Sequence, residues 1–286
     1  MASKRFGIAN WSMIGVILCI TSAVLCCECD TTQMAQHVTS SSIRTKRGFA
    51  ATDWIATAAG TQALEHSVSS CSWYYNWAPT SAAAARSGPE FVPMLWSAAR
   101  INQPTLSSIQ ASGATTLLTF NEPDLASQAN MSPTDAINAW SSLINLGLRL
   151  GSPAVSHTSL SPDDWLVTFM RQVAVKPDFI TLHFYSDVWE VEQSVNNLHD
   201  YITQVHQYFL LPIWLTEFAL LRTSASGIEA PDLAIQAKFA QGASQMLSSL
   251  PFVERFAWFG VGTFNYGTSL YKEDGSISLI GSSYLL

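Results

Sequence analysis

The sequence predicts an α/β fold, specifically a (β/α)8 TIM barrel with eight parallel strands, and three observations lead to this prediction. Eight short apolar runs recur along the chain, and helix-like stretches separate most of them. Near-continuous apolar strands that alternate with helices are typical of a parallel sheet covered on both faces. Eight such units within about 240 residues match a barrel of this kind in both size and count.

The eight predicted strands share a short run of apolar, aromatic and β-branched residues, a composition that favours extended structure. They are 47–51 (RGFAA), 71–77 (CSWYYNW), 90–96 (EFVPMLW), 115–121 (TTLLTFN), 148–155 (LRLGSPAV), 178–185 (DFITLHFY), 211–219 (LPIWLTEFA) and 255–260 (RFAWFG).

Helix-start signals follow several of these strands. Segment 132–147 opens with Ser-Pro-Thr-Asp, which predicts Ser132 as N-cap with proline at the first helical position. Segment 161–174 opens with Ser-Pro-Asp-Asp and predicts Ser161 as N-cap in the same way. After the first strand, Asp53 is the predicted N-cap. Residues 190–209 and 231–250 are the longest helix-like stretches.

An open, doubly wound sheet is the alternative architecture. Such sheets usually carry a glycine-rich phosphate turn after the first strand, and the chain contains neither GxGxxG nor a Walker pattern. Residues 78–89 are too short and polar for a full helix, and we expect a loop there.

The N-terminus has the pattern of a signal peptide, which we assign to residues 1–29. Lys4 and Arg5 precede an apolar run over roughly 11–27, as in a basic n-region followed by an h-region. The run of about 17 residues is marginal for crossing a bilayer. A retained membrane anchor is therefore the weaker interpretation, and we expect a secreted, extracellular or cell-wall protein.

A polar, Ser/Thr-rich stretch, 30–47, reads as a pro-segment or linker before a catalytic domain at 48–286. Its last residues, Lys46-Arg47, are either a processing site or two ordinary surface charges. Four of the five cysteines lie in or beside the predicted signal, so only Cys71 would certainly remain after cleavage. That excludes a disulfide framework in the mature chain.

Composition and charge argue against several classes of function. Hydrophobic residues are 48% and charged residues 12%, which indicates a core-rich globular chain. The net charge of −7 argues against a nucleic-acid partner, because phosphate binding needs a basic surface. No HExxH or GxSxG motif occurs, and the CxxC at residues 26–29 lies within the predicted signal peptide, so we expect no metal and no cofactor.

Barrel chemistry lies at the carboxyl ends of the strands. The side chains predicted there are Tyr75, Asn76, Trp77, Trp96, Asn121, Glu122, His183, Tyr185, Glu217 and Trp258. Asp124 follows Glu122 but is more simply explained as a loop residue.

Glu122 and Glu217 suggest a reaction. Strands four and seven lie across a barrel mouth from each other, so both carboxyls would meet there. A separation of about 5–5.5 Å is that of retaining glycoside hydrolysis, in which one carboxylate attacks the anomeric carbon and the other acts as acid and base. Asn121 would hydrogen-bond the sugar 2-hydroxyl. Burying Glu217 in an apolar strand without a partner would cost several kcal/mol, which argues against an incidental charge.

The motifs KRG, WYYNW, FVPMLW, LLTFNEPDLASQANMSP, LGSPAV, FITLHFY, PIWLTEF and ERFAWFG together resemble glycoside hydrolase family 128 of clan A, over about residues 46–285. The resemblance implies a (β/α)8 endo-β-1,3-glucanase that acts with retention on a β-1,3-glucan polysaccharide or oligosaccharide. It implies Glu122 as acid/base and Glu217 as nucleophile. The glucan cleft would be shaped by His183, Tyr185, Trp96, Trp77 and Trp258.

Two other functions stay open at this point. One is a cell-wall β-glucan-binding protein with little or no hydrolysis, and the other is a clan A hydrolase of a different β-glycan. We expect a monomer. Asn130-Met131-Ser132 is an N-glycosylation sequon just after the strand-four loop, used or unused.

Overall fold

The computed structural model describes residues 45–84, 88–262 and 266–285. The predicted signal peptide and most of the predicted linker lie outside these ranges. Among the described residues, no helix is both long and apolar enough to cross a membrane.

The described chain is a mixed α/β fold whose central strands run parallel. The strands are β1 (Arg47–Ala51), β2 (Trp73–Tyr75), β3 (Glu90–Phe91), β4 (Met94–Leu95), β5 (Thr116–Asn121), β6 (Arg149–Ala154), β7 (Ile180–Ser186), β8 (Ile213–Leu220), β9 (Arg222–Ser224), β10 (Gly227–Glu229) and β11 (Val253–Val261). The α-helices are α1 (Ala58–Ser67), α2 (Gln103–Ala111), α3 (Pro133–Trp140), α4 (Trp165–Gln172), α5 (Val191–Phe209), α6 (Leu233–Ser249) and α7 (Leu279–Leu285). Short 3-10 helices span Asp53–Ala56, Ala98–Arg100 and Ile144–Leu146.

Two parallel sheets contain the eight predicted strands. A six-stranded sheet has the order β3-β2-β1-β11-β8-β7, and a three-stranded sheet has the order β4-β5-β6. Isolated parallel bridges join Gly151 to Phe179 and Val155 to Leu182, between the β6 and β7 segments. The prediction of an α/β fold with a parallel sheet is confirmed.

The third predicted strand is divided because it contains a proline. Val92 donates its backbone N–H to Tyr74 of β2, whereas Pro93 accepts a hydrogen bond from Leu118 of β5. Pro93 has no N–H with which to continue a ladder. The chain therefore leaves one sheet as β3 and joins the other as β4.

Two of the three predicted helix starts differ from the structure. Ser132 is the N-cap of α3 as predicted, and its hydroxyl and the Asp135 carboxylate form a capping box. Helix α4, however, is capped by Asp164 and not by Ser161, because the Asp164 carboxylate accepts from the N–H groups of Leu166 and Val167.

The predicted cap at Asp53 is also displaced. Thr52 caps the 3-10 turn that contains Asp53, and Thr57 caps α1. In the predicted loop 78–89, residues 78–84 and 88–89 are described and contain no helix.

The dibasic pair belongs to the folded domain. The Lys46 ammonium donates to the carbonyl oxygens of Ser248 at 3.2 Å and Leu250 at 2.8 Å, near the C-terminus of α6. Arg47 begins β1, is 5% exposed and lies over the Tyr284 ring. Neither residue is an ordinary surface charge.

The core has an inner and an outer part, which the strand alternation separates. Ala257 packs with the cluster that contains Trp73 and Tyr75 of β2 and Trp214 of β8. Its neighbour Trp258 packs with the larger cluster that includes helix residues such as Phe239. Successive strand residues point to opposite faces, and this alternation decides which residues reach the site.

Candidate active site

Glu122 follows the last residue of β5 in an unusual backbone conformation. Its φ is 42°, in the left-handed region that non-glycine residues rarely adopt. Such a conformation costs about 1–3 kcal/mol and persists only where the surroundings hold it. Here the Glu122 N–H donates to the Ala154 carbonyl of β6 at 2.7 Å, and its own carbonyl accepts from Leu125. The Glu122 side chain lines the cleft.

Glu217, in the middle of β8, is only 4% exposed and is surrounded by hydrogen-bond donors. Its Oε1 accepts from the Tyr75 hydroxyl at 3.1 Å and from Trp77 Nε1 at 2.7 Å. Its Oε2 accepts from the Tyr185 hydroxyl at 2.5 Å. Three donors on one carboxylate stabilise its ionised form and fix its orientation.

His183 lies between the two glutamates. It is the register partner of Glu217 in the β7–β8 pair. Its Nδ1 is 2.9 Å from Glu122 Oε1, and its Nε2 is 3.4 Å from Glu217 Oε1, an ion-pair distance without hydrogen-bond alignment. Burial lowers the pKa of His183, but the Glu217 and Glu122 carboxylates outweigh burial and raise it above its ordinary value.

Ligand atoms of Glu122, His183 and Glu217 all lie within 4.8 Å of one another. A metal ion would require this kind of donor set. Oxygen atoms of the two carboxylates, however, already form hydrogen bonds with Trp77, Tyr185 and His183. The arrangement is therefore suited to two carboxylates that work as a pair, one oriented by three donors and one with fewer partners.

The pair opens into a cleft of about 650 Å³. Its walls combine aromatic, aliphatic and polar side chains, a composition that suits a ring-shaped, hydroxylated ligand. The lining residues are Trp77, Trp96, Asn121, Glu122, Leu125, Ser127, Gln128, Ser156, Tyr185, Glu217, Leu221, Thr223, Ile228, Phe259 and Tyr266.

Most of the predicted site residues are at this cleft. Trp77, Trp96, Asn121 and Tyr185 line it together with the two glutamates. Trp77, like Glu122, has a left-handed backbone, with φ at 57°. The Asn121 side chain donates to Gln128 at 3.3 Å, and its Oδ1 is buried without a hydrogen-bond partner.

Two predicted residues support the site from behind. Tyr75 is fully buried and holds Glu217, and His183 is 1% exposed and holds Glu122. Burial, followed by the charge of Glu217, raises the pKa of Tyr75 well above its ordinary value of 10.0. The same causes raise the pKa of Tyr185. Both hydroxyls therefore keep the protons that they donate to Glu217.

Asn76 does not line the cleft. Its Nδ2 donates to Asp53 at 3.5 Å and to the Thr80 carbonyl at 3.0 Å, and its Oδ1 accepts from the Ala78 N–H. These contacts shape the loop after β2. Asp124 has the predicted loop role, because its carboxylate accepts from the backbone and hydroxyl of Ser156.

The prediction that Trp258 lines the cleft is wrong. Trp258 is 0% exposed, packs edge-on against Phe218, and donates from Nε1 to the Thr268 carbonyl at 2.7 Å. Because Ala257 faces the inner cluster, Trp258 faces outward to the helices, and Phe259 is the next residue that faces inward. Phe259 accordingly lines the cleft, in contact with Trp77 and Tyr185.

Two walls of the cleft were not predicted from the sequence. The hairpin β9–β10 was not predicted, because its strands are short and follow β8 directly; it contributes Thr223 and Ile228. The hairpin is joined by the Arg222–Glu229 ion pair, and Arg222 also lies over the Trp189 ring. The loop after β5 supplies the second wall, with Leu125, Ser127 and Gln128. Phe259 was not predicted either, although the alternation of inward and outward residues along β11 would have indicated it.

A parallel α/β fold that brings two carboxylates of different strands together in a cleft lined by aromatic rings is typical of a glycoside hydrolase catalytic core. The family model described as "Glycosyl hydrolase catalytic core" matches residues 48–284. The chain belongs to this family and, within it, to glycoside hydrolase family 128.

Solved structures and one curated relative support this assignment. A family 128, subgroup I endo-beta-1,3-glucanase from Amycolatopsis mediterranei, in complex with laminaritriose, is 38% identical. That match has a TM-score of 0.77 and covers 84% of this chain and 98% of the other. A subgroup III curdlan-specific exo-beta-1,3-glucanase from Blastomyces gilchristii is 29% identical, with a TM-score of 0.67, and covers 86% and 99%.

The curated relative is Alkali-sensitive linkage protein 1 of Schizosaccharomyces pombe. It is 34% identical over an alignment of 236 positions, which covers 74% of this chain and 40% of the relative. The chain thus spans less than half the length of that relative.

Proposed function

We propose that this protein is an endo-β-1,3-glucanase that hydrolyses its substrate with retention at the anomeric carbon, with Glu217 as nucleophile and Glu122 as acid/base. One observation carries the proposal: carboxylate oxygens of Glu122 and Glu217 lie within 4.8 Å of each other at the floor of the cleft. That distance is close to the separation in retaining enzymes and shorter than the roughly 6.5–9.5 Å that inverting enzymes need for a water.

The roles follow from the hydrogen bonds. Glu217, held ionised by three donors, attacks the anomeric carbon, and the bond from that carbon to the leaving oxygen breaks. Glu122, with fewer donors, gives its proton to the leaving oxygen. Glu122 then takes a proton from a water, whose oxygen attacks the same carbon and releases Glu217. His183 holds the Glu122 carboxyl in place throughout.

We also infer that the two sheets form a closed (β/α)8 barrel. The continuity of β3 and β4 through Val92-Pro93 supports closure on one side. The two bridges between the β6 and β7 segments support it on the other. The matched family 128 structures are consistent with this arrangement.

β-1,3-glucan is the proposed substrate because of the relatives. The Amycolatopsis protein was crystallised with laminaritriose, and a glutamate-to-glutamine variant of it with laminarihexaose. In this chain, Trp77, Trp96, Phe259 and Tyr266 provide aromatic surface for sugar rings, and the unpartnered Oδ1 of Asn121 is placed to accept from a substrate hydroxyl.

Export to the extracellular space or cell wall and a monomeric state remain part of the proposal. Export rests on the signal-peptide pattern of residues 1–29.

Reducing-sugar release from laminarin tests the function. We expect release by the wild type and by the control Glu192→Gln, which removes an exposed carboxylate on α5. Glu122→Gln should lower the rate by about 10²–10⁴-fold, and Glu217→Gln by on the order of 10⁴-fold or more. Binding of laminarin without release by the wild type would favour the glucan-binding alternative. Faster release from carboxymethyl-cellulose would favour another β-glycan.

Azide distinguishes the two roles. With Glu217→Ala and a substrate bearing a good leaving group, azide takes the place of the nucleophile and should give the α-glycosyl azide. With Glu122→Ala, azide attacks the covalent intermediate and should give the β-glycosyl azide. The reverse pairing of products would overturn the assignment.

A further inference from the structure

Asn130 belongs to an N-glycosylation triplet near the cleft and takes no part in the hydrolytic mechanism. Within residues 45–286 the sequence contains one N-x-S/T triplet, Asn130-Met131-Ser132. Asparagine in such a triplet is the acceptor for N-linked glycans in exported proteins.

The local structure presents the Asn130 side chain to solvent. Asn130 is exposed, with φ at 47°, a left-handed conformation that asparagine tolerates better than most residues. The next residue, Met131, is 8% exposed, and its carbonyl accepts from Trp165 Nε1 at 2.8 Å. Met131 is thus anchored in the protein, while Asn130, which directly follows the turn at 126–129, is exposed.

The turn is held firmly against the cleft wall. The Ala129 N–H donates to the Asn121 carbonyl at 3.1 Å, and the Met131 N–H donates to the Pro123 carbonyl at 2.9 Å. Gln128, two residues before Asn130, lines the cleft and accepts from the Asn121 side chain. A group attached to Asn130 would therefore stand beside the wall formed by the β5 loop.

We propose that Asn130 carries an N-linked glycan, which borders the cleft and limits the approach of packed, multi-chain glucan while leaving single chains unhindered. The inference rests on the export proposed above. A hydrophilic, branched chain of sugars on one rim occupies volume outside the cleft. A particle surface would meet it, whereas a flexible oligosaccharide that enters the 650 Å³ cleft would pass beside it.

Matched variants separate loss of the glycan from damage to the loop. Asn130→Asp removes the acceptor but keeps a residue that tolerates the left-handed conformation. Ser132→Asn removes the triplet but keeps a good N-cap for α3, with an amide that can donate to Asp135 as the hydroxyl does. Ser132→Thr retains both the triplet and the cap.

The full chain would be produced in a eukaryotic secretory host, and the intact mass and the Asn130 peptide measured before and after peptide N-glycosidase treatment. We expect a glycan on the wild type and on Ser132→Thr, and none on Asn130→Asp or Ser132→Asn. An unmodified Asn130 in the secreted wild type would overturn the proposal, and so would retention of the protein inside the cell. Laminarin hydrolysis by the same preparations tests the proposed function separately.

The role at the rim has its own readout. Glycosylated and enzymatically deglycosylated wild type would be compared on soluble laminari-oligosaccharides and on insoluble β-1,3-glucan particles. We expect rates within twofold on the soluble substrate and a severalfold gain on particles after glycan removal, with Asn130→Asp matching the deglycosylated enzyme. Equal rates on particles for all forms would show that the glycan does not limit access.

Discussion

The Tyr185 hydroxyl donates a 2.5 Å hydrogen bond to Oε2 of Glu217, from β7 to the neighbouring strand β8. Tyr75 and Trp77 hold the other oxygen of the same carboxylate. The catalytic geometry therefore depends on donors from two separate parts of the chain.

Tyr185→Phe removes one donor and leaves the ring at the cleft wall. We expect kcat/KM on laminari-oligosaccharides to fall by about 10–10²-fold, because a hydrogen bond to a charged group contributes about 1.5–3 kcal/mol. Tyr208→Phe, at an exposed position on α5, is the control. An unchanged kcat/KM for Tyr185→Phe would show that this bond does not support the nucleophile.

Buried tyrosines should make the protein sensitive to alkali. The folded-state pKa values of Tyr75 and Tyr185 are raised well above 10.0, first by burial and then by Glu217. Their contribution to stability is fully present below pH 10 and is lost as pH rises above it, because the unfolded chain releases these protons first. Urea unfolding at pH 9, 10 and 11 should show a falling free energy of unfolding.

The variant for this test is Tyr75→Phe/Tyr185→Phe, which should reduce the dependence on pH between 10 and 11 without abolishing it, because burial also raises the pKa values of Tyr201, Tyr271 and Tyr284. The single variant Tyr208→Phe should keep the wild-type slope, because Tyr208 is 52% exposed. The same slope in the double variant would contradict the assignment of the alkali sensitivity to these two phenols.

Neighbouring residues of β11 should behave in opposite ways. Trp258→Phe leaves the Thr268 carbonyl without its donor and thins a buried contact, so we expect a loss of about 1–3 kcal/mol of stability with KM unchanged. Phe259→Ala removes a cleft wall and should raise KM severalfold with a smaller effect on stability. Thermal unfolding and steady-state kinetics of both variants measure these effects. A raised KM for Trp258→Phe would show that Trp258 contributes to substrate binding after all.

The β9–β10 hairpin should contribute to substrate affinity. Ile228 is 45% exposed and lines the cleft, so Ile228→Ala should raise KM for longer oligosaccharides more than kcat falls. Ile277→Ala, at a similarly exposed isoleucine that is absent from the cleft lining, is the matched control. If both variants behave alike, the hairpin is not part of the binding surface.

Local pattern and strand ends predicted much of this molecule. The positions of all eight strand segments were predicted, because apolar composition and length decide a buried parallel strand. Glu122 and Glu217 were predicted because a carboxylate in or just after a buried strand is energetically costly, which indicates a functional role. Trp258 was misplaced by one residue, and one step along a strand reverses the face to which a side chain points.

The sequence by itself determined the alternation of strands and helices, the two carboxylates, and the aromatic residues available to a cleft, since each is a property of a short stretch. Only the tertiary structure decided that Tyr75, Trp77 and Tyr185 converge on Glu217 and that His183 lies between the glutamates. It also decided that the β9–β10 hairpin forms a wall. Those contacts join residues up to 142 positions apart, so they depend on how strands pair and not on any local signal.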